Sequence, residues 1–299
     1  MTRLTRFLTL AAALCLMGQG AVARCEDHIP QPKPQNASRD IVGQDLDQIQ
    51  ERGFMTFAAY EDFPPWSYEE NGKPVGVDIE IGKLIAEDLG VEARFKLVSP
   101  SENLDGDLRN WIWKGPIVGG SVVNVMLHVP YDSNYACRVE QVVFTGTYHV
   151  EEIGIAYRKD AYPEDPPIPA YFRFDTVAVE NDSIADFYLT AFPGGQLSKN
   201  MRRYPTMAGA MAGLTAGETM AAMGPLAQLE AGLTEGLAVH TPPLPGFAVG
   251  KWTVGTAVHF SYRGLSYSVE DAIYAGIQDG RIEKIFADYG LSFQPPELR

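Results

Sequence analysis

A short stretch between Tyr60 and Tyr68 combines acidic and aromatic side chains that could bind or transform a ligand. The carboxyl groups of Glu61 and Asp62 are candidates for a proton-transferring acid or base. The rings of Tyr60, Trp66 and Tyr68 could stack on a planar ligand, or they could pack an edge of the core. The residue types alone leave both interpretations open.

Among the histidines, one position is a candidate for ligand contact. No two histidines have the spacing of metal ligands, so we expect most of them to be structural or surface residues. His128 differs, because it lies at the end of a predicted strand near Tyr131 and Arg138, where α/β folds place their ligands. The five histidines occupy positions 28, 128, 149, 240 and 259.

Sequence motifs for other chemistry are lacking. The chain has no Gly-rich phosphate loop, no paired-cysteine metal motif and no Gly-x-Ser-x-Gly turn. Glu61, Asp62 and His128 could be argued as an acid or base, but no partner at a defined spacing supports them. We therefore predict no catalytic residue, no metal site and no cofactor.

The composition indicates a folded, acidic protein. The chain has 299 residues, of which 45 % are apolar and 21 % are charged, enough for one large or two ordinary domains. With 24 Lys and Arg against 38 Asp and Glu, the formal net charge is −14. This charge excludes electrostatic binding of nucleic acid, and it favours a cationic partner or simple solubility.

Residues 1–23 have the pattern of a secretory signal peptide. Arg3 and Arg6 precede an apolar run from Phe7 to Met17, and Ala21-Val22-Ala23 forms a cleavage site. A membrane anchor is the alternative, but the apolar run is short for a span, and no later segment is long enough to cross a bilayer. We therefore expect cleavage after Ala23 and a periplasmic location.

Residues 24–52 precede the predicted globular part. Alternating prolines at 30–34 predict an extended arm with polyproline II character, and a short lead-in helix from Asp45 to Arg52 follows it. Cys25 in the arm and Cys137 are the two cysteines outside the signal peptide. In an oxidising compartment they could form a disulfide, or they could be two unrelated thiols.

Strand and helix patterns alternate through the first half of the chain, which predicts an α/β fold with a mostly parallel sheet. The clearest unit is Gly76–Gly90, a helix with Asp78 as its expected N-cap and Gly90 as its stop. The other expected elements are strands at Phe54–Ala59, Arg94–Val98, Val122–Leu127, Val142–Thr145 and Glu152–Tyr157, and a helix within Ser101–Trp113.

A second strand-and-helix unit is predicted between about residues 160 and 250. Ser183 is expected to cap a helix that runs toward Thr190. Near the C-terminus, Ser268 and Asp271 have the spacing of a capping box, and a last helix is expected to stop at Gly290. The remaining expected elements are strands at Thr176–Glu180 and Thr219–Met223 and a helix at Thr206–Leu214.

Methionine is concentrated in this second unit. Five of the nine methionines fall there, and Met packs irregular gaps well, so they could simply fill the core. The alternative is an adaptable apolar surface for a larger ligand or a protein. The five are Met201, Met207, Met211, Met220 and Met223.

Four blocks of sequence together resemble the family 3 periplasmic solute-binding proteins, the type that serves amino-acid importers. The blocks are Pro64-Pro65-Trp66, Gly76–Gly90, Arg138 with Phe144-Thr145 and Tyr148, and residues 271–290. The resemblance implies the α/β fold of a two-lobed type II periplasmic binding protein with two hinge crossings. Lobe 1 would comprise residues 53–152 and 253–299, and lobe 2 would comprise residues 153–252.

The same resemblance implies a cleft between the lobes and the residues that line it. In the family, the arginine matching Arg138 clamps a ligand carboxylate, since a guanidinium presents a planar fork to two oxygens. The second-lobe acid that holds an amino group is replaced here by Pro225, which argues against amino-acid specificity. The cleft candidates are Tyr60, Asp62, Trp66, Tyr68, His128, Tyr131, Arg138, Ser183, Met223 and Pro225.

A narrower resemblance concerns Trp113–Pro116 and Val125–Asp132. These segments are similar to the J accessory proteins of periplasmic quinoprotein (pyrroloquinoline quinone) methanol dehydrogenases, more to the lanthanide type than to the calcium type. The resemblance implies a non-catalytic maturation factor whose partner is the dehydrogenase or its cytochrome. The alternatives are an importer's receptor for a carboxylate or aromatic solute, and a dehydratase-like enzyme. An apolar cleft would favour a protein segment as ligand, and an inward Arg138 would favour a solute.

Overall fold

The computed structural model describes residues 45–118 and 120–297. The predicted signal peptide, the extended arm and Cys25 lie outside the described residues. The helices are α1 (Leu46–Arg52), α2 (Val77–Asp88), α3 (Leu104–Leu108), α4 (Ser133–Arg138), α5 (Ile184–Thr190), α6 (Met207–Thr215), α7 (Leu226–Ala231), α8 (Arg263–Gln278) and α9 (Arg281–Asp288). The strands are β1 (Phe54–Tyr60), β2 (Tyr68–Glu70), β3 (Lys73–Val75), β4 (Glu92–Val98), β5 (Val125–Tyr131), β6 (Val142–Arg158), β7 (Val177–Glu180), β8 (Met201–Tyr204), β9 (Ala221–Pro225), β10 (Leu237–His240) and β11 (Lys251–His259).

A sheet of nine strands in the described part of the chain carries both lobes, with the order β4-β1-β5-β11-β6-β9-β7-β8 and β10 paired to β6. In one lobe β1 runs parallel to β4 and β5, and in the other β7 runs parallel to β8 and β9. The strands β6 and β11 pair antiparallel to each other and to their other neighbours. The sheet is therefore mixed rather than mostly parallel, and the predicted two-lobed α/β fold with two crossings is confirmed.

The strand β6 is one of the crossings between the lobes. The sequence predicted two separate strands here, but Val142–Arg158 is continuous over 17 residues. It pairs with β11 as far as Glu152 and with β9 from Ile153 onward. Gly146 lies inside this strand with φ of 55°, and the pairing of β6 with β11 shifts register between Thr145 and His149, so the strand continues through a bulge.

Each lobe packs helices on both faces of its half of the sheet. In the first lobe, Ile81 and Ile85 of α2 meet Ile273 of α8 and Phe286 of α9 in one buried cluster. In the second lobe, Met207 and Met211 belong to the cluster on one face, and Met201 and Met223 belong to that on the other. These four methionines are buried, so they fill the core, and the interpretation of an adaptable Met surface is wrong for them.

Helix starts show where local sequence rules held and where packing overrode them. Asp45 accepts a hydrogen bond from the Gln48 backbone N–H (3.0 Å), and Ser183 caps α5 as predicted. The expected capping box at Ser268 is wrong, because α8 already begins at Arg263 and Ser268 donates back to the Gly264 carbonyl.

Within the described residues, no helix has both the length and the apolar composition that a membrane span requires.

The start of α2 also differs from the prediction. The helix begins at Val77 with Gly76 in the N-cap position, so Asp78 is not the N-cap. The Val77 and Asp78 backbone N–H groups donate to the carbonyls of Pro65 and Trp66 (3.0 and 2.9 Å), which satisfies the helix end without a side chain. Asp78 is thereby turned into the interior, where it is fully buried.

Gly76→Ala is expected to lower the free energy of unfolding by about 2–4 kcal/mol. The φ of Gly76 is 124°, and a Cβ there would press on the Trp66 carbonyl and lie 2.9 Å from the Pro65 carbonyl oxygen. Gly264→Ala is the control, because a Cβ there meets nothing within 4 Å. Urea unfolding of both variants measures the difference, and equal stabilities would contradict this account.

The crossing strand β6 also buries a carboxyl group, that of Glu151, which is 1 % exposed. Its Oε1 accepts from the backbone N–H groups of Glu152 (3.0 Å) and Ala227 (3.4 Å), and no described residue donates to Oε2. Burial raises the pKa of Glu151 to about 7. Two residues earlier, burial lowers the pKa of His149 to about 3, so this histidine is neutral.

Glu151→Gln is expected to stabilise the protein above pH 7 by about 2–3 kcal/mol relative to the unsubstituted chain. Glu151 binds its proton more tightly when folded, so its contribution to stability is lost as the pH rises from about 4.5 to about 7. Because its pKa is lowered, His149 makes the free energy of unfolding increase with pH in a lower pH range. It does so equally in both proteins, so the difference between them isolates Glu151. Denaturation from pH 5 to 8 measures it, with exposed Glu164→Gln as control; a pH-independent difference would contradict the assignment.

Candidate ligand cleft

A cavity of about 910 Å³ lies between the two lobes. The first lobe lines it with the segments that follow β1, β4 and β5, where the parallel strands end. The second lobe contributes Ile184 at the start of α5, and the segment from Ala248 into β11 closes another side. This position, outside the carboxyl ends of the strands, is where open α/β sheets bind ligands.

Half-buried Tyr60 and buried Asp107 form a hydrogen-bonded pair on the first-lobe wall. The Tyr60 hydroxyl donates to Asp107 Oδ2 (2.9 Å), and the Ser101 backbone N–H donates to Asp107 Oδ1 (2.7 Å). Burial, and then the Asp107 charge, raises the pKa of Tyr60 far above its usual range. Tyr60 therefore stays protonated, with its hydrogen committed to Asp107.

The short helix α4 is fixed by a second tyrosine–aspartate contact. The Tyr135 hydroxyl donates to Asp105 Oδ1 (2.5 Å), and burial, followed by that hydrogen bond, raises the pKa of Tyr135. Asp132 caps the helix by accepting from the Tyr135 backbone N–H (2.7 Å). A helix of six residues offers too little periodicity to be predicted from the sequence.

His128 is held at the cavity wall by the buried carboxyl group of Asp78. Its Nδ1 lies 3.1 Å from Asp78 Oδ2 and 3.4 Å from Oδ1. The Tyr148 hydroxyl donates to Asp78 Oδ1 (2.6 Å) and accepts from the His128 backbone N–H (3.1 Å). Burial, and then the Asp78 charge, raises the pKa of Tyr148, which keeps it a donor.

The backbone of His128 is unusual for its position. Its φ is 55°, a left-handed conformation that a non-glycine residue rarely adopts within a strand. Its ring packs against Phe63 and Trp66, with centroids 4.9 and 4.6 Å away. Such strain persists only where surrounding contacts impose it, and it is concentrated at functional sites.

Four of the ten predicted cleft residues line the cavity: Tyr60, Asp62, His128 and Tyr131. Trp66 does not, since it is 1 % exposed and packs in the core beside Phe286, so its ring is not free to stack on a ligand. Tyr68 lies on the β2–β3 hairpin. Ser183 caps α5, Met223 is fully buried in β9, and Pro225 ends that strand.

Arg138 is not brought to the cavity. It is exposed at the end of α4, and its guanidinium carbon lies 5.8 Å from the centroid of the Tyr135 ring. The cation that does line the cavity is Lys251, whose Nζ is 2.9 Å from a Glu152 carboxylate oxygen.

Cys137, which precedes Arg138, is disulfide-bonded. Because Cys25 lies outside the described residues, the pairing of Cys25 with Cys137 stays a prediction.

Sequence reasoning missed several lining residues, including Phe63, Asp107, Tyr135 and Trp252. Trp252 begins the second crossing, and nothing in its local sequence distinguishes it from a core tryptophan. Phe63 lies inside the aromatic stretch between Tyr60 and Tyr68, so its position there could have identified it as a candidate.

No group of three or more metal-binding side chains occurs within residues 45–118 and 120–297.

Comparison with characterised proteins by sequence found no match. The family model "Bacterial extracellular solute-binding proteins, family 3" matches residues 55–110. Among solved structures, an ancestral cationic amino acid solute-binding protein aligns with a TM-score of 0.67 and 19 % identity, over 82 % of this chain and 99 % of that one. An L-arginine-bound substrate-binding protein of Streptococcus pneumoniae gives 0.56 and 19 %, over 85 % and 100 %.

A solute receptor for L-cysteine of Neisseria gonorrhoeae aligns with a TM-score of 0.54 and 20 % identity, over 82 % of this chain and 93 % of that one. These identities establish a shared fold and leave the ligand open. The family match lies within the first lobe, where β1, α2 and β4 are found. The chain therefore has the two-lobed fold of the type II periplasmic binding proteins, and its residues 55–110 match extracellular solute-binding family 3.

Proposed function

We propose that this chain is a non-catalytic periplasmic receptor that binds a small molecule with an aromatic or apolar body between its lobes. The observation that carries the proposal is the cavity of about 910 Å³ with walls from both lobes. Ligand pockets occupy about 300–1,000 Å³ and combine apolar walls with a few placed polar groups. One structural relative is described as a substrate-binding protein bound to L-arginine, and another is named as a solute receptor for L-cysteine.

The lining favours a ligand with a substantial apolar part. Phe63, Tyr131 and Trp252 present rings to the cavity, and Ile184 and Val249 supply aliphatic surface. Trp252 also contacts the core clusters of both lobes, and it lies where β11 crosses between them. A ligand that packs on Trp252 would couple occupancy of the cleft to the relative position of the lobes.

A ligand of this class is expected to raise the free energy of unfolding by about 2.7 kcal/mol at 100 times its dissociation constant. Thermal unfolding with a panel of aromatic amines, acids and alcohols measures the shift, and intrinsic fluorescence of the four tryptophans, Trp252 among them, reports binding separately. Val249→Lys should abolish the shift, because it places a positive charge on the apolar wall at a residue that is 50 % exposed and tolerates substitution.

Tyr267→Ala is the matched control, since this aromatic side chain is 61 % exposed on α8 and does not line the cavity. It should leave the ligand-induced shift unchanged. The receptor proposal would be untenable if no compound in the panel stabilised the protein, or if both variants behaved alike.

We propose a second candidate function, that of an accessory factor for a quinoprotein methanol dehydrogenase. Its support is the resemblance of Trp113–Pro116 and Val125–Asp132 to such factors, together with a largely apolar cavity whose described lining contains no arginine. In this role a segment of the dehydrogenase or of its cytochrome partner would occupy the cleft.

Co-purification with the apo and holo forms of the dehydrogenase tests the accessory role. Association is expected with at least one form, and Val249→Lys should weaken it while Tyr267→Ala does not. The absence of both association and any effect on activation of the dehydrogenase would exclude this candidate.

A further inference from the structure

Two tyrosines of the cavity wall have already given their hydroxyl hydrogens to carboxyl groups. The hydroxyl hydrogens of Tyr60 and Tyr135 are already given to Asp107 and Asp105, so only their oxygens remain for a ligand. Glu61 accepts from the Ser99 hydroxyl, and it also lines the cavity. A ligand group that donates hydrogen bonds would therefore find several acceptors on this wall.

Fixed charge along the lining has the same bias. The carboxyl groups of Asp62 and Asp132 line the cavity, and both residues are exposed. Lys251 is the one lysine among the described lining residues, no arginine joins it, and its charge is offset by Glu152 at 2.9 Å. An anionic ligand would therefore enter a site with excess negative charge.

His128 adds a further acceptor at a place that is almost closed to solvent, since the residue is 9 % exposed. With Nδ1 donating toward the Asp78 carboxyl group, the tautomer that fits this contact keeps a lone pair on Nε2. Nε2 has no hydrogen-bond partner among the described residues, and His128 lines the cavity. In that tautomer Nε2 can accept a hydrogen bond from a ligand group in the cavity.

The aromatic walls complete the pattern. Phe63, Tyr131, Tyr135 and Trp252 all line the cavity, and the faces of such rings attract cations through their quadrupoles. Aromatic faces combined with carboxylates form a favourable environment for an organic ammonium group. They offer no matching partner to a carboxylate.

We infer that the cleft is built for an organic cation, an ammonium group on an apolar body, without a carboxylate. The ammonium N–H groups donate to His128 Nε2 and to the carboxylates near Asp62, and the apolar body packs on the rings. This inference rests on the proposed receptor function and specifies its ligand class. It replaces the carboxylate clamp that the position of Arg138 in the sequence had implied.

Three probes of nearly equal size and different charge test the inference: 2-phenylethylammonium, 3-phenylpropanoate and 3-phenylpropanol. Calorimetric titration is expected to give at least about 10-fold tighter binding for the ammonium than for the carboxylate, with the alcohol between them. Added salt should weaken ammonium binding and leave binding of the alcohol unchanged.

Two variants and one control locate the interaction. His128→Asn keeps a residue that tolerates φ of 55° and removes the imidazole, and Asp62→Asn removes one charge at a residue with φ of 50°. Each should weaken ammonium binding about 10-fold and leave the alcohol unaffected. Asp165→Asn, an exposed position in another loop, should change neither.

The possible outcomes separate the two proposals. Tighter binding of 3-phenylpropanoate than of 2-phenylethylammonium would overturn the cation inference and leave the receptor function in place. Loss of ammonium binding equally in Asp165→Asn and Asp62→Asn would also overturn it, because net charge would then be responsible. Failure of every probe and of the wider panel to bind would overturn both proposals.

Discussion

The buried Asp78 carboxyl group is the interaction that joins the parts of this molecule relevant to binding. It lies in the first turn of α2, contacts the His128 ring on β5 and accepts from the Tyr148 hydroxyl on β6. One fully buried side chain thus connects the helix, the strand that ends at the cleft and a strand that crosses to the other lobe. Because a buried charge is costly unless it is paired and hydrogen-bonded, the positions of all three elements are coupled.

That coupling explains how the cleft acquires its character. His128 adopts a left-handed backbone conformation, and its ring is fixed by Asp78 on one edge and by Phe63 and Trp66 on its sides. The two tyrosine hydroxyls at the wall are likewise bound to aspartates. The cleft is therefore pre-organised, and the oxygens of these two tyrosines remain as acceptors. Which hydrogens have already been given is decided by the fold, and the residue types alone do not reveal it.

The predictions that succeeded rest on short-range rules. The lead-in helix that ends at Arg52, the cap at Ser183, the stop at Gly90 and most strands follow from spacing over a few residues. The predictions that failed depend on distant partners. Asp78 has the sequence context of an N-cap, but the first N–H groups of α2 donate to the carbonyls of Pro65 and Trp66. The Asp78 carboxyl group is therefore available to accept a hydrogen bond from the Tyr148 hydroxyl. Arg138 stands at a family-like spacing, yet α4 ends there and directs it to the surface.

The sequence by itself determined the class of the molecule: an acidic α/β chain with a secretory pattern at its start and blocks in the order of a two-lobed binding protein. Hydrophobic periodicity and turn residues act locally, so they can be read without the fold. Only the tertiary structure decided which candidates meet. It placed Tyr60, Asp62, His128 and Tyr131 around one cavity, moved Trp66 and Met223 into the core, and brought Trp252 from more than a hundred residues away. Such contacts depend on long-range strand pairing and burial, which are properties of the assembled sheet rather than of any segment.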